Sequence, residues 1–562
     1  MNTIPVGAHL SNAPMQSLPP SHQLFPSSSS SPSEDRTARQ APCGGSGVNL
    51  QDVPGLAPRR APQGACAQFP PRRLVVVSNR VIDPHQPAAG GLAAALGEMM
   101  KMINGLWFGW SGDIHDGPDA DQVRTQAHGL TTLAQVDLSQ ADHDHYYAGF
   151  ANALLWPVFH NQVNLADFNE QFFKRYEQVN RRFAATLSRL LKPDDIIWVH
   201  DYHLIPLALE LRRLGCRQRI GFFNHIPFPT PAALKRIPQH EHLVRALFSY
   251  NLIGMQVQRD LRRFHEYVAI QARGRWPDAQ HVEAFGHTVR AQHFPIGIDV
   301  ARFIAQCPGA EADAVLARVR AESGKRTLMV AADRLDYTKG LPERLEAFRL
   351  MLERYPACRR QVTLVQIAAP SRESVPAYVA IREKVEGLVD AINTRYASGD
   401  WTPVMHIDDT VDRAAMPEIF SLGRVGLVTS VADGMNLVAK EYVAAQDPRS
   451  PGVLALSAEA GASEQLTQAL MLDPKDPADM AEMFHRGLCM PLKERRGRHA
   501  AMLKNVQEED LHWWHGRNLG ALGIDAQEPE PEAARASEPA PEPTGPAPLS
   551  GEAAHHQHTS RK

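Results

Sequence analysis

From residue 74 to residue 457 the chain alternates short, β-branched apolar runs with longer amphipathic stretches, and this alternation constrains its fold more than any other feature. Leu74 to Ser78, Ile196 to His200, Ile220 to Asn224 and Leu252 to Val257 read as buried strands. Thr327 to Ala332, Val362 to Ile367, Val425 to Thr429 and Val453 to Ser457 form a second set. Between strands, Phe168, Phe172, Tyr176, Val179, Phe183, Leu187 and Leu190 recur at the three- and four-residue spacing that lays an apolar stripe along a helix. Pro342 to Tyr355 also reads as a helix. Strands that alternate with helices predict parallel sheets covered on both faces. The expected fold class is therefore α/β: two doubly wound, Rossmann-like domains with a boundary near residue 300 and ligands at the carboxyl ends of the strands.

Outside this region the composition changes. Residues 1–71 are rich in Pro, Ser, Gly and Ala, including the run Ser27 to Ser31, and predict a disordered arm. Residues 523–562, acidic and Pro-rich, predict a second disordered tail, whose His555, His556 and His558 are given no function. Within 562 residues, 43% hydrophobic and 22% charged, there is material for more than one core. A formal net charge of -3 supplies no global field for nucleic acid or an anionic membrane, so an anionic ligand needs a local site. The six cysteines at 43, 66, 216, 307, 358 and 489 stand singly, which fits a reducing compartment better than a disulfide scaffold or a zinc site. With no long apolar run and no secretory start, a cytoplasmic protein is expected.

Three segments place reactive groups where a strand gives way to a loop. In VVVSNRVIDPHQPAAGGLAAAL, a strand delivers Arg80, and Gly90 and Gly91 open a helix where phosphate could meet bare backbone N–H groups; plain turn chemistry is the alternative. In VAADRLDYTKGLPER, Arg334 and Lys339 suit a diphosphate, one as a planar fork and the other as a point charge; an Arg334–Asp336 ion pair with a solvated lysine is the alternative. In LVTSVADGMNLVAKEYVAAQ, Asp433 either binds ligand or caps the following helix, and Glu441 either grips a ribose diol or pairs with a neighbouring Lys. HDYH at 200–203 and DHDHYY at 142–147 concentrate histidines but match no metal-binding spacing, so no metal is assigned. Asp201, at a strand end, reads as a carboxylate for hydroxyls, with buried structural hydrogen bonding as the alternative.

Taken together, VVVSNR, GLWFGWSG between Asn104 and Asp113, NALLWPVFH, IIWVHDYHLIP, GFFNHIPFPTP, FPIGID, DRLDYTKGLPERL, DGMNLVAKEYVAAQ and PGVLALS make the chain from about Arg72 to Leu522 resemble the trehalose-6-phosphate synthases, retaining glycosyltransferases of the GT-B fold. The resemblance implies two domains facing a central cleft: 72–300 for the acceptor and 301–504 for the nucleotide sugar, with 505–522 a helix crossing back to the first. It implies transfer of glucose from UDP-glucose to glucose 6-phosphate, giving α,α-trehalose 6-phosphate and UDP, with no metal and no cofactor. Arg334, Lys339, Asp433 and His225 would be catalytic. Gly90, Gly91, Arg334, Lys339, Val411, Leu437, Val438, Ala439, Lys440 and Glu441 would bind the donor, and Arg80, Tyr147, Trp156, Asp201 and Arg372 the acceptor. The family is thought to retain configuration by front-face return, the leaving phosphate helping to deprotonate the acceptor. The resemblance is compatible with a homo-oligomer, dimer or tetramer, and calls for neither nucleic acid nor membrane as partner.

The chain departs from the family pattern at Ala432, where an Arg is common, at Val411, where an aromatic is usual, and in SAEAGAS at 457–463. Two alternatives to the main reading are a synthase using another phosphorylated acceptor, such as glycerol 3-phosphate, and a non-catalytic sensor of sugar phosphates.

Overall fold

The computed structural model describes residues 72–524 except 83–95, 98, 101–102, 118–121, 307–309 and 373–374. The expectations for the arm 1–71, for the tail beyond 524 and for Gly90 and Gly91 fall outside the described residues.

Two sheets organise the described chain. The first contains β1 (Leu74–Arg80), β2 (Gly105–Ile114), β3 (Arg124–His128), β4 (Thr131–Leu138), β5 (Ile196–His200), β6 (Arg219–Phe223), β7 (Leu252–Met255), β8 (His281–Ala284) and β9 (His287–His293). Their order is β3-β4-β2-β1-β5-β6-β7-β9-β8. The second contains β10 (Thr327–Arg334), β11 (Val362–Ala369), β12 (Val404–Ile407), β13 (Gly423–Val428), β14 (Val453–Ser457) and β15 (Leu470–Leu472). Its order is β12-β11-β10-β13-β14-β15, with every pairing parallel. The reversal of strand order beside β1 and beside β10 is the switch point at which such sheets leave a crevice for ligands.

One part of the expectation needs correcting: the first sheet is not wholly parallel, because β3 pairs with β4 and β8 with β9 in antiparallel fashion at its two edges. Edge strands are covered on fewer faces and so tolerate polar residues such as Arg124, Thr125 and Gln126, all exposed, which hide them from an apolar-run reading. The central strands behave as expected. Leu74 to Asn79 of β1 and all five residues of β5 are buried.

Helix α1 (Glu170–Ser188) turns Tyr176, Val179, Phe183 and Leu187 into the first core and is capped by Asn169, whose side chain accepts from the Gln171 N–H. Before it, His143–Leu155 winds as a π-helix; the Trp156 N–H reaches back five residues to the Ala151 carbonyl. Such stretches are rare and concentrate at functional sites.

A single apolar cluster runs through both lobes by way of Phe294, Ile296, Ile298, Leu511 and Trp514. The chain crosses between lobes at 294–300 and again after a helix that ends at Glu508. The expected single helix over 505–522 is broken there: Asp510 accepts from the Trp513 N–H and starts a new helix, α4 (Leu511–Ala521). Trp514 is fully buried, with ring centroids 5.2 Å from both Trp198 and Phe223, and its indole N–H donates to the Phe294 carbonyl at 3.1 Å. Truncating a buried tryptophan of this kind costs about 3–5 kcal/mol. Trp514→Ala is therefore expected to lower the urea midpoint of the full chain sharply, while exposed His512→Ala leaves it nearly unchanged.

Candidate functional site

The second lobe supplies most of the charge. β10 ends in Arg334, and Asp336 holds the next turn by accepting from the Thr338 N–H and hydroxyl, both at 2.9 Å, and from the Tyr378 hydroxyl at 2.9 Å. The turn closes on Gly340, at φ 66°, where an added Cβ would collide with the Thr429 carbonyl; only glycine fits. This geometry delivers Lys339, whose Nζ donates to Asp433 Oδ2 at 2.5 Å. Beneath it Arg344, fully buried, bonds Asp333 at 2.5 Å and Gln366 and Thr429 at 2.9 Å each, fixing the strand ends. Burial alone would raise the Asp433 pKa, but the Lys339 ammonium, with help from His160 and Asn436, overrides it and holds the carboxyl below its ordinary value.

Arg334 reaches across to the first lobe. Its guanidinium carbon lies 5.8 Å from the Trp156 ring centroid, and that of Arg372 lies 4.0 Å from the same ring. Arg372, itself at φ 47°, donates to the Tyr378 hydroxyl at 2.5 Å and the Tyr202 hydroxyl at 3.4 Å. The alternative pairing of Arg334 with Asp336 does not form as a hydrogen bond; Asp336 is engaged by Thr338 and Tyr378 and lies 3.9 Å from Arg372.

The first lobe contributes a row of rings. Arg80, at the end of β1, sits 5.9 Å from the Trp110 centroid; Tyr147 lies 5.3 Å from Trp110 and stacks on His203 at 5.9 Å. His203 meets Tyr202 at 4.0 Å, and Tyr202 meets Trp156 at 5.9 Å. The row joins Arg80 to Arg372. The π-helix places Tyr147 at its start and hands the chain to Trp156 at its end.

Asp201 lies between the lobes' contributions at φ 77° and ψ 164°, a backbone region that is nearly reserved for glycine and costs on the order of 1–3 kcal/mol. Its carboxylate accepts from the His225 N–H at 3.2 Å. Burial pushes its pKa up to about 6, against the opposing charges of Arg372 and Arg334. The His225 ring contacts His200 at 3.0 Å, and burial pushes its pKa down to about 3, so it is neutral near pH 7. Gly434 lies directly against this segment, for a Cβ there would collide with the His225 carbonyl.

Helix α3 (Leu437–Ala445) closes the site. Its cap is Asn436 at φ 76°, not Asp433: Asn436 Oδ1 accepts from the Ala439 N–H at 3.2 Å, and its Nδ2 donates to Asp433 at 3.1 Å. Glu441 pairs with Arg413 at 2.8 Å, and burial raises its pKa despite that partner. Lys440 needs correcting as a donor-side group. The helix carries it about 100° round from Glu441, into the core, where its Nζ donates to the Ile296 carbonyl at 2.6 Å. Ala439 is likewise fully buried, with its N–H taken by the cap. Leu437, Val438 and Val411 are partly buried against the shared core. Among the described residues no group of three or more His, Cys, Asp or Glu could hold a metal ion, and no helix is long and apolar enough to cross a membrane.

One set of contacts escaped the sequence reading. Helix α2 (Gln258–Ala272) follows Val257, which provides no side-chain cap. Glu464 of the other lobe caps it instead, accepting from the Gln258 and Arg259 N–H groups at 3.0 Å each. The Arg259 guanidinium returns the contact by donating to the Ala458 and Glu459 carbonyls at 2.9 and 3.0 Å. The same 458–464 segment holds Asp433, whose N–H donates to the Glu459 carbonyl at 3.2 Å and whose carbonyl accepts from the Gly461 N–H at 3.0 Å. The only signal in the sequence was a helix start without a capping residue.

A family model described as Glycosyltransferase family 20 matches residues 73–522. The trehalose-6-phosphate synthase of Enterobacter sp. (strain 638) is 43% identical over 444 residues, 79% of this chain and 93% of that protein. That of Citrobacter koseri is 43% identical over 451 residues, 80% of this chain and 95% of its own length. Among solved structures, the Burkholderia xenovorans α,α-trehalose-phosphate synthase (UDP-forming) in complex with glucose 6-phosphate superposes with a TM-score of 0.75 at 43% identity, covering 80% of this chain and 100% of that one. An E. coli trehalose-6-phosphate protein bound with UDP-2-fluoro glucose gives 0.76 at 42% identity, covering 80% and 98%.

Loss of a helix cap costs about 0.5–2 kcal/mol. Glu464→Ala is expected to lower the unfolding free energy of the full chain by about that amount in urea titrations, and Glu464→Gln, which keeps an acceptor oxygen, by less.

Proposed function

The chain belongs to glycosyltransferase family 20, and from that membership we infer that it is a UDP-forming trehalose-6-phosphate synthase. It transfers glucose from UDP-glucose to glucose 6-phosphate, releasing α,α-trehalose 6-phosphate and UDP. The observation that carries this reading is the Trp156 ring shared by Arg334 and Arg372. It supports one crevice that gathers cations for a diphosphate and for a phosphate monoester side by side.

In this reading Arg334 and Lys339 bind the donor diphosphate at the start of α3, where the helix dipole adds favourable potential. Lys339 exchanges Asp433 for the diphosphate, and Asp433 turns to the hydroxyls of the donor glucose. Neutral His225 donates or accepts a hydrogen bond to that sugar without adding charge. Glu441 binds the uridine ribose, and Val411, Leu437 and Val438 line the donor side with Gly90 and Gly91. Arg80 and Arg372 clamp the acceptor phosphate from the two ends of the aromatic row, with Tyr147, Trp156 and Asp201 around the sugar.

Retention by a covalent intermediate needs a free carboxylate at the anomeric carbon. In this reading Asp433, once released by Lys339, is engaged by Asn436 and by the donor hydroxyls, and Asp201 by the His225 backbone N–H. Front-face return fits this arrangement better: the leaving phosphate, held by Arg334 and Lys339, takes the acceptor proton, and positioning with electrostatics supplies the rate. We further place the acceptor domain at 72–300, the nucleotide-sugar domain at 301–504 and the crossing helix within 505–522. We place the enzyme in the cytoplasm and leave room for a homo-oligomer.

Purified protein given both sugars is expected to release UDP well above a heat-killed control; absence of release overturns the reading, and a preference for glycerol 3-phosphate reassigns the acceptor. Arg334→Ala is expected to lower kcat by about 10²- to 10³-fold, the usual loss when one donor to a transition state is removed; an unchanged kcat removes it from that role. Arg80→Ala is expected to raise the KM for glucose 6-phosphate far more than that for UDP-glucose, in initial-rate measurements with each substrate varied.

A further inference from the structure

No residue of the cleft described above lines a second cavity, of about 270 Å³, between β9 and α4. Its walls follow from two periodicities. Arg290, Gln292 and Phe294 alternate along β9 and its exit and so share one face of the sheet. Gly516 and Gly520, one turn apart on α4, face them, with Arg517 at the rim.

The glycines are informative. Each costs a helix about 1 kcal/mol relative to alanine, yet neither has a positive φ, and a Cβ added at either would meet nothing within 4 Å. No close approach requires them; what they preserve is the width of the cavity.

The charges are equally one-sided. Arg290 Nε is buried without a hydrogen-bond partner, and another of its guanidinium nitrogens reaches the Ala521 carbonyl only at 3.4 Å. Arg219 approaches the same carbonyl at 3.5 Å, and Arg517 lies over the Trp513 ring at 5.9 Å. Burial, then Arg219 and Arg517, hold the Arg290 pKa below its usual value, and the carboxylate opposing them, Asp278, is the weakest of these influences. Asp278 is itself engaged by His281 and by the Gln280 N–H. Two guanidiniums, Arg290 and Arg517, thus line an open space, with Arg219 beside it at the Ala521 carbonyl and no carboxylate bonded to any of the three among the described residues, an arrangement that an oxyanion would relieve with charge-assisted hydrogen bonds.

We propose that the cavity between β9 and α4 is a second anion site, taking a small phosphate- or carboxylate-bearing molecule on Arg290 and Arg517, with Arg219 adding positive charge nearby. Its volume is below the ~300–1,000 Å³ of pockets for drug-sized ligands, so the occupant is small. The proposal does not depend on the reading of the cleft. Its position is consequential, because the opposite face of α4 carries Trp514, whose ring lies 6.1 Å from that of His225.

The test is equilibrium dialysis of the full chain against radiolabelled orthophosphate at fixed ionic strength and saturating UDP. The wild type is expected to bind one more phosphate per chain than Arg290→Gln/Arg517→Gln, while Arg80→Ala retains that phosphate. Arg517→Gln alone, at an exposed position, is expected to weaken the site without affecting folding. In phosphate-free buffer kcat of the double variant is expected to stay within about twofold of wild type, as for substitutions remote from a site. Equal stoichiometry in wild type and double variant, or no saturable binding beyond the cleft, overturns the proposal. Citrate as competitor separates the sources: displacement assigns the site to oxyanions generally, and failure to displace confines it to phosphates.

Discussion

Two guanidinium groups of one lobe rest against one indole of the other, and the rest of the site is arranged around the difficulty of holding them there. Arg334 and Arg372 repel each other, and Trp156 offers each the negative face of its ring. Asp336, buried, and Asp201, half-buried, add opposing charge on either side. Asp336 can remain ionised because the Arg372, Arg334 and Lys339 charges outweigh the burial that would protonate it. Asp201, where the His225 and Tyr202 N–H groups, Arg372 and Arg334 do not outweigh burial, is pushed up to about 6 instead.

Holding these groups requires backbone that an ordinary loop would not adopt. Asp201, Arg372 and Asn436 all have positive φ, at 77°, 47° and 76°, and each touches the site. Strain of this kind persists only where the surroundings over-determine it. They do so here: Asp201 is fixed by the Phe223 carbonyl and the Leu204 N–H, Arg372 by Tyr378 and Tyr202, and Asn436 by Ser430 and Asp433. Gly434 supplies the complementary device, a missing Cβ that lets the Asp433 loop lie against the His225 backbone.

The parts of this arrangement that were legible in the sequence are those that depend on local pattern. β1, β5, β10 and β11 are continuous apolar runs because parallel strands are buried on both faces. Arg80 and Arg334 were legible because each ends such a strand. Less was visible where local chemistry is degenerate. Asp433 and Asn436 are both capable helix caps, and only the position of Lys339, far away in sequence, decides that the first is drawn off and the second caps. The π-helix over 143–155 leaves no distinctive spacing, so DHDHYY was read as a cluster of histidines rather than as the start of the segment that positions Tyr147. The edge pairs β3–β4 and β8–β9 were hidden by their polar faces. The Glu464 cap on α2 joins residues about two hundred positions apart and has no local signature beyond an unsatisfied helix start.

That last contact couples the position of the lobes to the site. A helix N-terminus exposes N–H groups that must find acceptors, and α2 carries none of its own. When the lobes separate, water must take the place of Glu464, and Arg259 must release the Ala458 and Glu459 carbonyls. The segment that is then freed is the one that fixes both backbone groups of Asp433. Lobe position and the placement of Asp433 are thus mechanically joined through 458–464, within which this chain reads SAEAGAS. Lys440 makes the matching connection behind the site, tying α3 to the crossing strand at Ile296. Together the two contacts hold the start of α3 and the Asp433 loop from the two sides of the same interlobe seam.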